Sequence, residues 1–235
     1  MYKQVILAGV LFMVAACGQK NHAASASTDK DSVTAGAKTN TQNVEASPDN
    51  DTTVRVKHEA FNEDITDLPP GLAQFVPEGY TAIDTSYGNL NLDQYQDMIM
   101  VLKQNGEDTA SDVDNPEKRP LLVLVGQPDN SFQLAARNDN VVLCINCGGA
   151  MGDPFTGVTI KNGYFSAEHY GGSAWRWTHI ITFKYSPADK NWFLHKIGYE
   201  SFHALNPKEA TSRTETTKDF GTLPFEKFDV YKEDK

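Results

Sequence analysis

The strongest constraint on the fold is the uneven distribution of large apolar side chains. Residues 18–60 contain no Phe, Trp, Tyr, Leu or Ile, and small or polar residues dominate this stretch. Such a segment cannot bury enough apolar surface to offset the entropy lost when it becomes ordered. We therefore expect residues 17–60 to form a disordered tether with an end-to-end distance of roughly 35 Å. A single folded domain is expected over residues 61–235.

The first sixteen residues are typical of a bacterial export signal. Lys3 precedes an apolar run over residues 5–16, which is too short to span a bilayer as a helix. The run ends in Val14-Ala15-Ala16-Cys17, which resembles the lipobox of bacterial lipoproteins. This resemblance implies cleavage before Cys17 and a lipid on its thiol, which would anchor the chain to a membrane. The alternative is an ordinary signal peptide with a chance cysteine.

The residue after the lipobox cysteine refines the expected location. Gly18, rather than Asp, stands there, so the inner-membrane retention signal known from enteric bacteria is missing. We expect lipid anchorage to the cell envelope, in the outer membrane and facing the periplasm.

The charge balance excludes one class of partner. The chain has 31 acidic and 21 basic residues, which gives a net charge of −10. A sequence-independent nucleic-acid binder needs a basic surface to neutralise phosphates, so we expect no nucleic-acid partner. Three cysteines are also too few for a disulfide-rich scaffold.

Beyond residue 60, short segments of alternating polarity separated by turn residues predict antiparallel β structure. Apolar runs at residues 98–102 and 121–125 are typical of central strands. The pair Asn162-Gly163 predicts a tight hairpin, and residues 186–190 predict a longer one. We expect an all-β antiparallel meander of seven or eight strands. It would form either a sandwich or a propeller-like stack of hairpins.

The aromatic residues supply candidates for ligand binding. Alternation over residues 175–185 predicts that Trp175 and Trp177 share a packed face with Ile181 and Phe183. Trp192 and Tyr164 are then the better candidates for exposed rings that stack on sugars.

Two polar residues complete the set of candidates. His169 is interpreted either as a hydrogen-bonded structural histidine or as a general base. Arg176 is expected to join Asp139 and residues 153–155 in a polar cluster that orders a glycine-rich loop. Both residues are retained as binding candidates.

One loop has the spacing of a calcium site. Oxygen-bearing side chains occupy its first, third, fifth and ninth positions, namely Asn89, Asn91, Asp93 and Asp97. Here the chain resembles the calcium loops of FG-GAP/VCBS-type β repeats, which read D-x-[DN]-x-D-G-x-x-D before an apolar strand. Asn89 and Gln94 replace the first Asp and the Gly, so the resemblance implies weak calcium binding. A turn held by side-chain hydrogen bonds is the alternative.

Cys144 and Cys147 are the remaining thiols if Cys17 carries a lipid. In an oxidising compartment such a pair most often forms a disulfide. A redox-active pair is one alternative. A zinc site completed by His169 or His179 is another.

Several motifs beyond residue 140 also resemble a known group. They are Cys144-x-x-Cys147-Gly-Gly, Met151-Gly-Asp-Pro-Phe155, His169-Tyr-Gly-Gly-Ser173, Trp175-Arg-Trp177 and Asp219-Phe-Gly221. Together they resemble an uncharacterised bacterial family of secreted or lipid-anchored proteins, over residues 76–230. The resemblance implies fold and location rather than an activity.

The expected function follows from these observations together. We expect a binding or interaction module rather than an enzyme, with an envelope protein or glycan as partner. A hydrolase acting on envelope polymers and a structural accessory subunit of an envelope complex are the alternatives.

Overall fold

The computed structural model describes residues 64–107, 112 and 114–232. The predictions for the signal segment, Cys17 and the tether therefore lie outside the described residues. Within the described residues, nine strands form the fold: β1 (Tyr80–Gly88), β2 (Asp97–Gln104), β3 (Arg119–Gly126), β4 (Phe132–Val142), β5 (Phe155–Lys161), β6 (Tyr164–Gly172), β7 (Trp175–Ser186), β8 (Asn191–His203) and β9 (Asn206–Thr216).

The strands form two antiparallel meanders. Sheet I contains β1 to β4 and sheet II contains β5 to β9, and within each sheet the strands are paired in sequence order. The prediction of an all-β antiparallel fold is confirmed. The structure has more strands than expected because β9 is a polar edge strand without a buried residue. A polar edge strand gives no apolar alternation for a sequence pattern to detect.

The two sheets pack face to face around a shared core, so the fold is a sandwich. Ile99 and Val123 of sheet I belong to the same buried cluster as Phe165, Ile181 and Phe183 of sheet II. Two adjacent rings in this core, Phe165 and Phe183, are stacked with their centres 5.1 Å apart.

Sheet I is covered on both faces, which explains its continuous apolar runs. Residues of β2 and β3 alternate between the shared core and a second cluster on the outer face, where Met98, Met100 and Leu122 lie. A short 3-10 helix, Ala73–Phe75, belongs to the segment that covers this outer face. Strands buried on both sides show uninterrupted rather than alternating hydrophobicity.

The chain after β9 returns to the core. It begins with a four-residue helix, α1 (Thr217–Phe220), whose start is fixed by a capping box between Thr216 and Asp219. Phe225 and Phe228 then insert into the shared core. The Asn138 side-chain amide of β4 donates a hydrogen bond of 2.9 Å to the Phe228 carbonyl, which fixes the returning segment.

Among the described residues, no helix has the length and apolar character required to cross a membrane.

Candidate functional site

A row of four rings and one guanidinium group crosses sheet II, with one member on each strand. The pairing of the five strands aligns the members of this row, from β5 to β9: Phe155, His169, His179, Tyr199 and Arg213. The His179 and Tyr199 rings are stacked, with their centres 4.3 Å apart. The Arg213 guanidinium lies 5.2 Å from the centre of the Tyr199 ring, a cation–π distance. We call this set the aromatic row.

The aromatic row marks the boundary between core and solvent on the inner face of sheet II. Two residues away from it on each strand, Ala167, Ile181 and Ile197 are fully or almost fully buried in the shared core. Within the row, His169 is only 1% exposed, whereas Arg213 on the edge strand is exposed. The inner face therefore opens to solvent towards the edge strand β9.

A cleft of about 430 Å³ lies at this opening. Strands β7, β8 and β9 contribute most of its lining, namely Trp177, Thr178, His179, Tyr199, Glu200, Ser201, Thr211, Ser212 and Arg213. Leu143 and Val230 complete the lining. Aromatic rings beside hydroxyl and charged groups suit a ligand with both apolar and hydrogen-bonding faces.

A glycine allows Trp177 to lie in this position. Gly171 pairs with Trp177 on the neighbouring strand. A Cβ at Gly171 would lie 2.5 Å from Cζ2 of the Trp177 indole, which is closer than real atoms approach. The indole therefore lies directly on the backbone of β6, and a residue with a Cβ at position 171 would clash with it.

Trp175 extends the same face beyond the cleft. Its side chain is 61% exposed, so the prediction that it belongs to the core is wrong. The ring makes an edge-to-face contact with His203, with the centres 5.3 Å apart. Alternation correctly assigns a residue to a face but does not indicate where the opposing sheet ends.

The position of Trp192 also differs from the prediction. It was expected to be exposed, but it is only 2% exposed and belongs to the shared core. Its indole Nε1 donates a hydrogen bond of 3.1 Å to the Leu90 carbonyl, which satisfies the polar atom of a buried Trp. Tyr164, its companion in the prediction, is half-buried on the outer face of sheet II and so lies away from the cleft.

His169 is a structural residue and is too buried to contact a ligand. Its Nε2 accepts a hydrogen bond of 3.2 Å from the Leu143 N–H, and its Nδ1 lies 3.3 Å from the His179 carbonyl oxygen. These contacts fit a neutral ring with its proton on Nδ1. Burial, followed by the charge of His179, lowers the pKa of His169 to about 3.

Arg176 does not form the predicted polar cluster. It is half-buried on β7, and its Nη1 donates to the Met151 sulfur. Asp139 instead pairs with Arg137 at 2.7 Å, and Asp153 pairs with Arg119. The arginine that binds the carboxylate of the glycine-rich loop is therefore Arg119 and not the predicted Arg176.

Arg119 is a fully buried charged side chain that sequence reasoning missed. Its Nε donates to both carboxylate oxygens of Glu107 at 2.9 Å. Its Nη1 and Nη2 bind Asp153 at 2.8 and 2.7 Å. Burial raises the pKa of Glu107, although Arg119 opposes the effect. The available signal was a charge two residues before the apolar run at residues 121–125, because an arginine drawn into a buried strand requires a partner.

A second cleft of about 460 Å³ borders this ion-pair triad. Arg119 and Asp153 contribute to its lining, together with Lys103, Thr156 and Tyr170. The Asp153 carboxylate accepts one hydrogen bond from each of the Nη1 and Nη2 groups of Arg119, so it is held in place as a structural anion.

The predicted calcium loop is bonded internally. Oδ2 of the buried Asp97 accepts hydrogen bonds from the N–H groups of Leu90 and Asn91, at 2.7 and 3.1 Å. Its Oδ1 accepts one from Gly126 at 2.9 Å. Burial raises the pKa of Asp97, and these three hydrogen bonds oppose the effect. One lone pair on Oδ1 is left for a cation, so calcium binding at this loop stays a prediction.

The other three loop residues bond to one another. Asn91 Nδ2 donates to Asp93 Oδ2 at 2.7 Å, while the Asp93 N–H donates to Asn91 Oδ1 at 2.9 Å. Asn89 Nδ2 donates to the Asp93 carbonyl. This geometry matches the alternative of a turn held by side chains.

A disulfide joins Cys144 and Cys147, whose Cα atoms are 5.1 Å apart. It fixes the short segment that links the two clefts. On one side, the Leu143 N–H donates to His169 in the aromatic row. On the other, the Ile145 N–H donates to Oε1 of Glu107 in the triad, at 3.3 Å.

Among the described residues, no three or more His, Cys, Asp and Glu side chains gather in a way that could hold a metal ion. Comparisons with protein-family models, with curated proteins and with solved structures found no match.

Proposed function

We propose that this protein is a lipid-anchored envelope protein that binds glycans in the cleft of sheet II. The observation that carries the proposal is the cleft itself, where Trp177, Tyr199 and Arg213 lie beside hydroxyl groups on three adjacent strands. Sugars present apolar ring faces edged by hydroxyl groups. Aromatic side chains pack on those faces, and charged or hydroxyl side chains bond the edges.

Preorganisation supports a binding role. Tyr199 lies between His179 and Arg213 in the pairing order of the strands, and Trp177 is held against Gly171. Rings that are fixed before a ligand arrives lose little rotamer entropy on binding. Trp175 provides a further exposed ring on the same face, so the surface suits an extended saccharide of more than one unit.

The alternative of a hydrolase has less support. A glycosidase needs two carboxyl groups on either side of the scissile bond. In the part of the chain that the structure describes, one carboxylate residue lines the cleft in sheet II, Glu200. In the second cleft, Asp153 is held in a bidentate ion pair with Arg119. We therefore favour binding over catalysis.

The test is a binding measurement on the mature chain with Cys17→Ser, which cannot be acylated. Insoluble peptidoglycan and soluble chitotetraose serve as probes, followed by co-sedimentation and by tryptophan fluorescence. We expect Trp175→Ala to weaken binding about tenfold, as the loss of one stacked ring predicts. Arg213→Gln should weaken it by a similar factor because it removes a charged donor.

Tyr164→Ala is the matched control, since it removes an aromatic ring from the opposite face of sheet II. It should leave binding to both probes unchanged. No binding of the parent protein to either probe would contradict the proposal. An equal loss in the Tyr164 variant would also contradict it. Release of reducing ends from either probe would instead favour the hydrolase.

A further inference from the structure

The outer face of sheet II carries a cluster of cations at the end opposite the cleft. Lys161 of β5 pairs with Tyr164 of β6, which pairs with Lys184 of β7. Lys196 of β8 lies nearby, opposite Thr182. We call the exposed lysines at this position the basic end; they are Lys161, Lys184, Lys196 and, in the turn between β7 and β8, Lys190.

Contacts around Tyr164 bring two of these lysines close to one point of the surface. The Lys184 ammonium lies 5.4 Å from the centre of the Tyr164 ring. The His195 ring meets the same tyrosine edge-on, with the centres 5.3 Å apart. Burial, and then the charges of Lys184 and Lys196, lower the pKa of His195, so both ammonium groups influence one point of the surface.

The turn with Lys190 has two carboxylates nearby, Asp189 within it and Glu226, which accepts a hydrogen bond of 3.2 Å from Asn191. On the strands, by contrast, neutral groups lie between the lysines. The Ser166 and Thr182 hydroxyls fill the adjacent position and share a hydrogen bond of 2.9 Å. Asp189 lies in the turn, where it accepts a hydrogen bond of 2.6 Å from Ser186. On β6 the first acidic side chain is Glu168, two positions beyond Ser166 on the same face. The basic end is thus a positive region on a chain with a net charge of −10.

We propose that the basic end docks against an anionic lipid surface. Each lysine held close to such a surface contributes about 1 kcal/mol, which is about fivefold in partitioning. Tyr164 suits the same place, because tyrosine side chains favour the boundary between headgroups and acyl chains. Four lysines also meet the lower limit of the basic clusters that recognise acidic phospholipids.

Docking at this end would orient the cleft. Trp177 and Lys184 lie on the same strand, and at about 3.3 Å per residue their separation is about 23 Å. They also lie on opposite faces of sheet II. The cleft would therefore face away from the lipid, towards polymers in the surrounding space. The docking itself does not depend on the glycan proposal, because it uses different residues and a different ligand.

The test uses the mature chain with Cys17→Ser, so that no acyl chain contributes to binding. Its partitioning is measured by co-sedimentation with phosphatidylcholine vesicles, with and without phosphatidylglycerol. We expect binding only to the anionic vesicles, and we expect it to weaken as salt is added. Lys184→Gln and Lys196→Gln should each lower partitioning about fivefold.

Lys208→Gln is the matched control, because it removes the same charge from an exposed position on β9. It should change partitioning less than twofold, within the error of the method. Equal binding to both vesicle types would overturn the proposal, and so would an equal loss in the Lys208 variant. Binding of inorganic phosphate without any preference for anionic vesicles would assign the cluster to a free anion and would also overturn it.

Discussion

At the scale of single residues, burial decides the chemistry of the polar side chains. His169 and Arg119 are both almost inaccessible to solvent, yet the first is neutral and the second is charged. The histidine stays neutral because both of its ring nitrogens have hydrogen-bond partners that fit the neutral ring. The arginine stays charged because two carboxylates surround it. Both serve the fold, although either could be taken for a catalytic group in the sequence.

Replacing the histidine should change how stability depends on pH. The unfolded chain binds a proton at His169 below a pH of about 6.5, whereas in the folded chain the pKa of His169 is about 3. Acidification through this range therefore favours unfolding, by up to about 1.4 kcal/mol per pH unit. Urea denaturation at several pH values should show that the free energy of unfolding falls more steeply on acidification for the parent than for His169→Gln. Parallel profiles would contradict this.

Removing the buried arginine should be severely destabilising. Arg119→Met leaves the carboxylates of Glu107 and Asp153 without their cation, at a cost of about 3–5 kcal/mol. The triple variant Arg119→Met, Glu107→Met, Asp153→Asn removes the whole charge set and should recover most of the loss. The free energy of unfolding from urea titration provides the measurement. A mild effect of the single variant would show that the triad is solvated.

At the scale of the elements, register determines which side chains meet. The strands of sheet II align Gly171 with Trp177 and Ser201, two residues away on each strand from the aromatic row that reaches from β5 to β9. The alternation in β7 was readable in the sequence. The alignment of neighbouring strands was not readable in the sequence, because strand pairing depends on bulges such as the one between Thr182 and Phe183.

Gly171→Ala should displace the indole of the cleft. The added methyl group would overlap Trp177, at a cost of about 1–3 kcal/mol in the free energy of unfolding. Tryptophan fluorescence and near-UV circular dichroism should change, and glycan binding should weaken. Gly198→Ala is a matched control on β8, where a Cβ would meet only the Ile180 carbonyl at 3.9 Å. Equal behaviour of the two variants would refute this role of Gly171.

The loop between β1 and β2 should depend on Asp97 more than on calcium. Asn at this position has a single acceptor oxygen for the three backbone N–H groups, so Asp97→Asn should cost about 1–3 kcal/mol. We expect the same fall in melting temperature in millimolar calcium and in chelator. A melting temperature of the parent protein that falls when chelator is added would instead establish a calcium site.

At the scale of the whole molecule, one core joins both sheets. Phe225 from the returning C-terminal segment contacts Phe165 and Phe183, with ring centres 5.5 and 5.2 Å apart. Trp192 of sheet II is bonded to the Leu90 carbonyl ahead of β2. Neither sheet can lose its partner without exposing this core.

Unfolding of the molecule should therefore be a single cooperative transition. Far-UV circular dichroism reports the strands, while fluorescence reports the three tryptophans, of which Trp192 lies in the shared core. We expect the two probes to give the same midpoint in urea, as a two-state domain requires. Two separated midpoints would mean that the sheets unfold independently.

The sequence by itself determined the properties that depend on local pattern. Alternation, turn residues and apolar runs indicated antiparallel strands and the hairpins at residues 162–163 and 186–190, because strand periodicity and turn chemistry are local. The loop with Asp97 was recognisable as a polar turn for the same reason.

Only the tertiary structure decided which of these residues are accessible and which meet. It buried Trp192, exposed Trp175 and brought Arg119 to Glu107 and Asp153 across 12 and 34 positions of the chain. Exposure depends on where the opposing sheet ends, and ion pairs depend on the register of distant strands. Neither quantity is encoded in a local pattern, so the candidate site became visible only in the folded sheet.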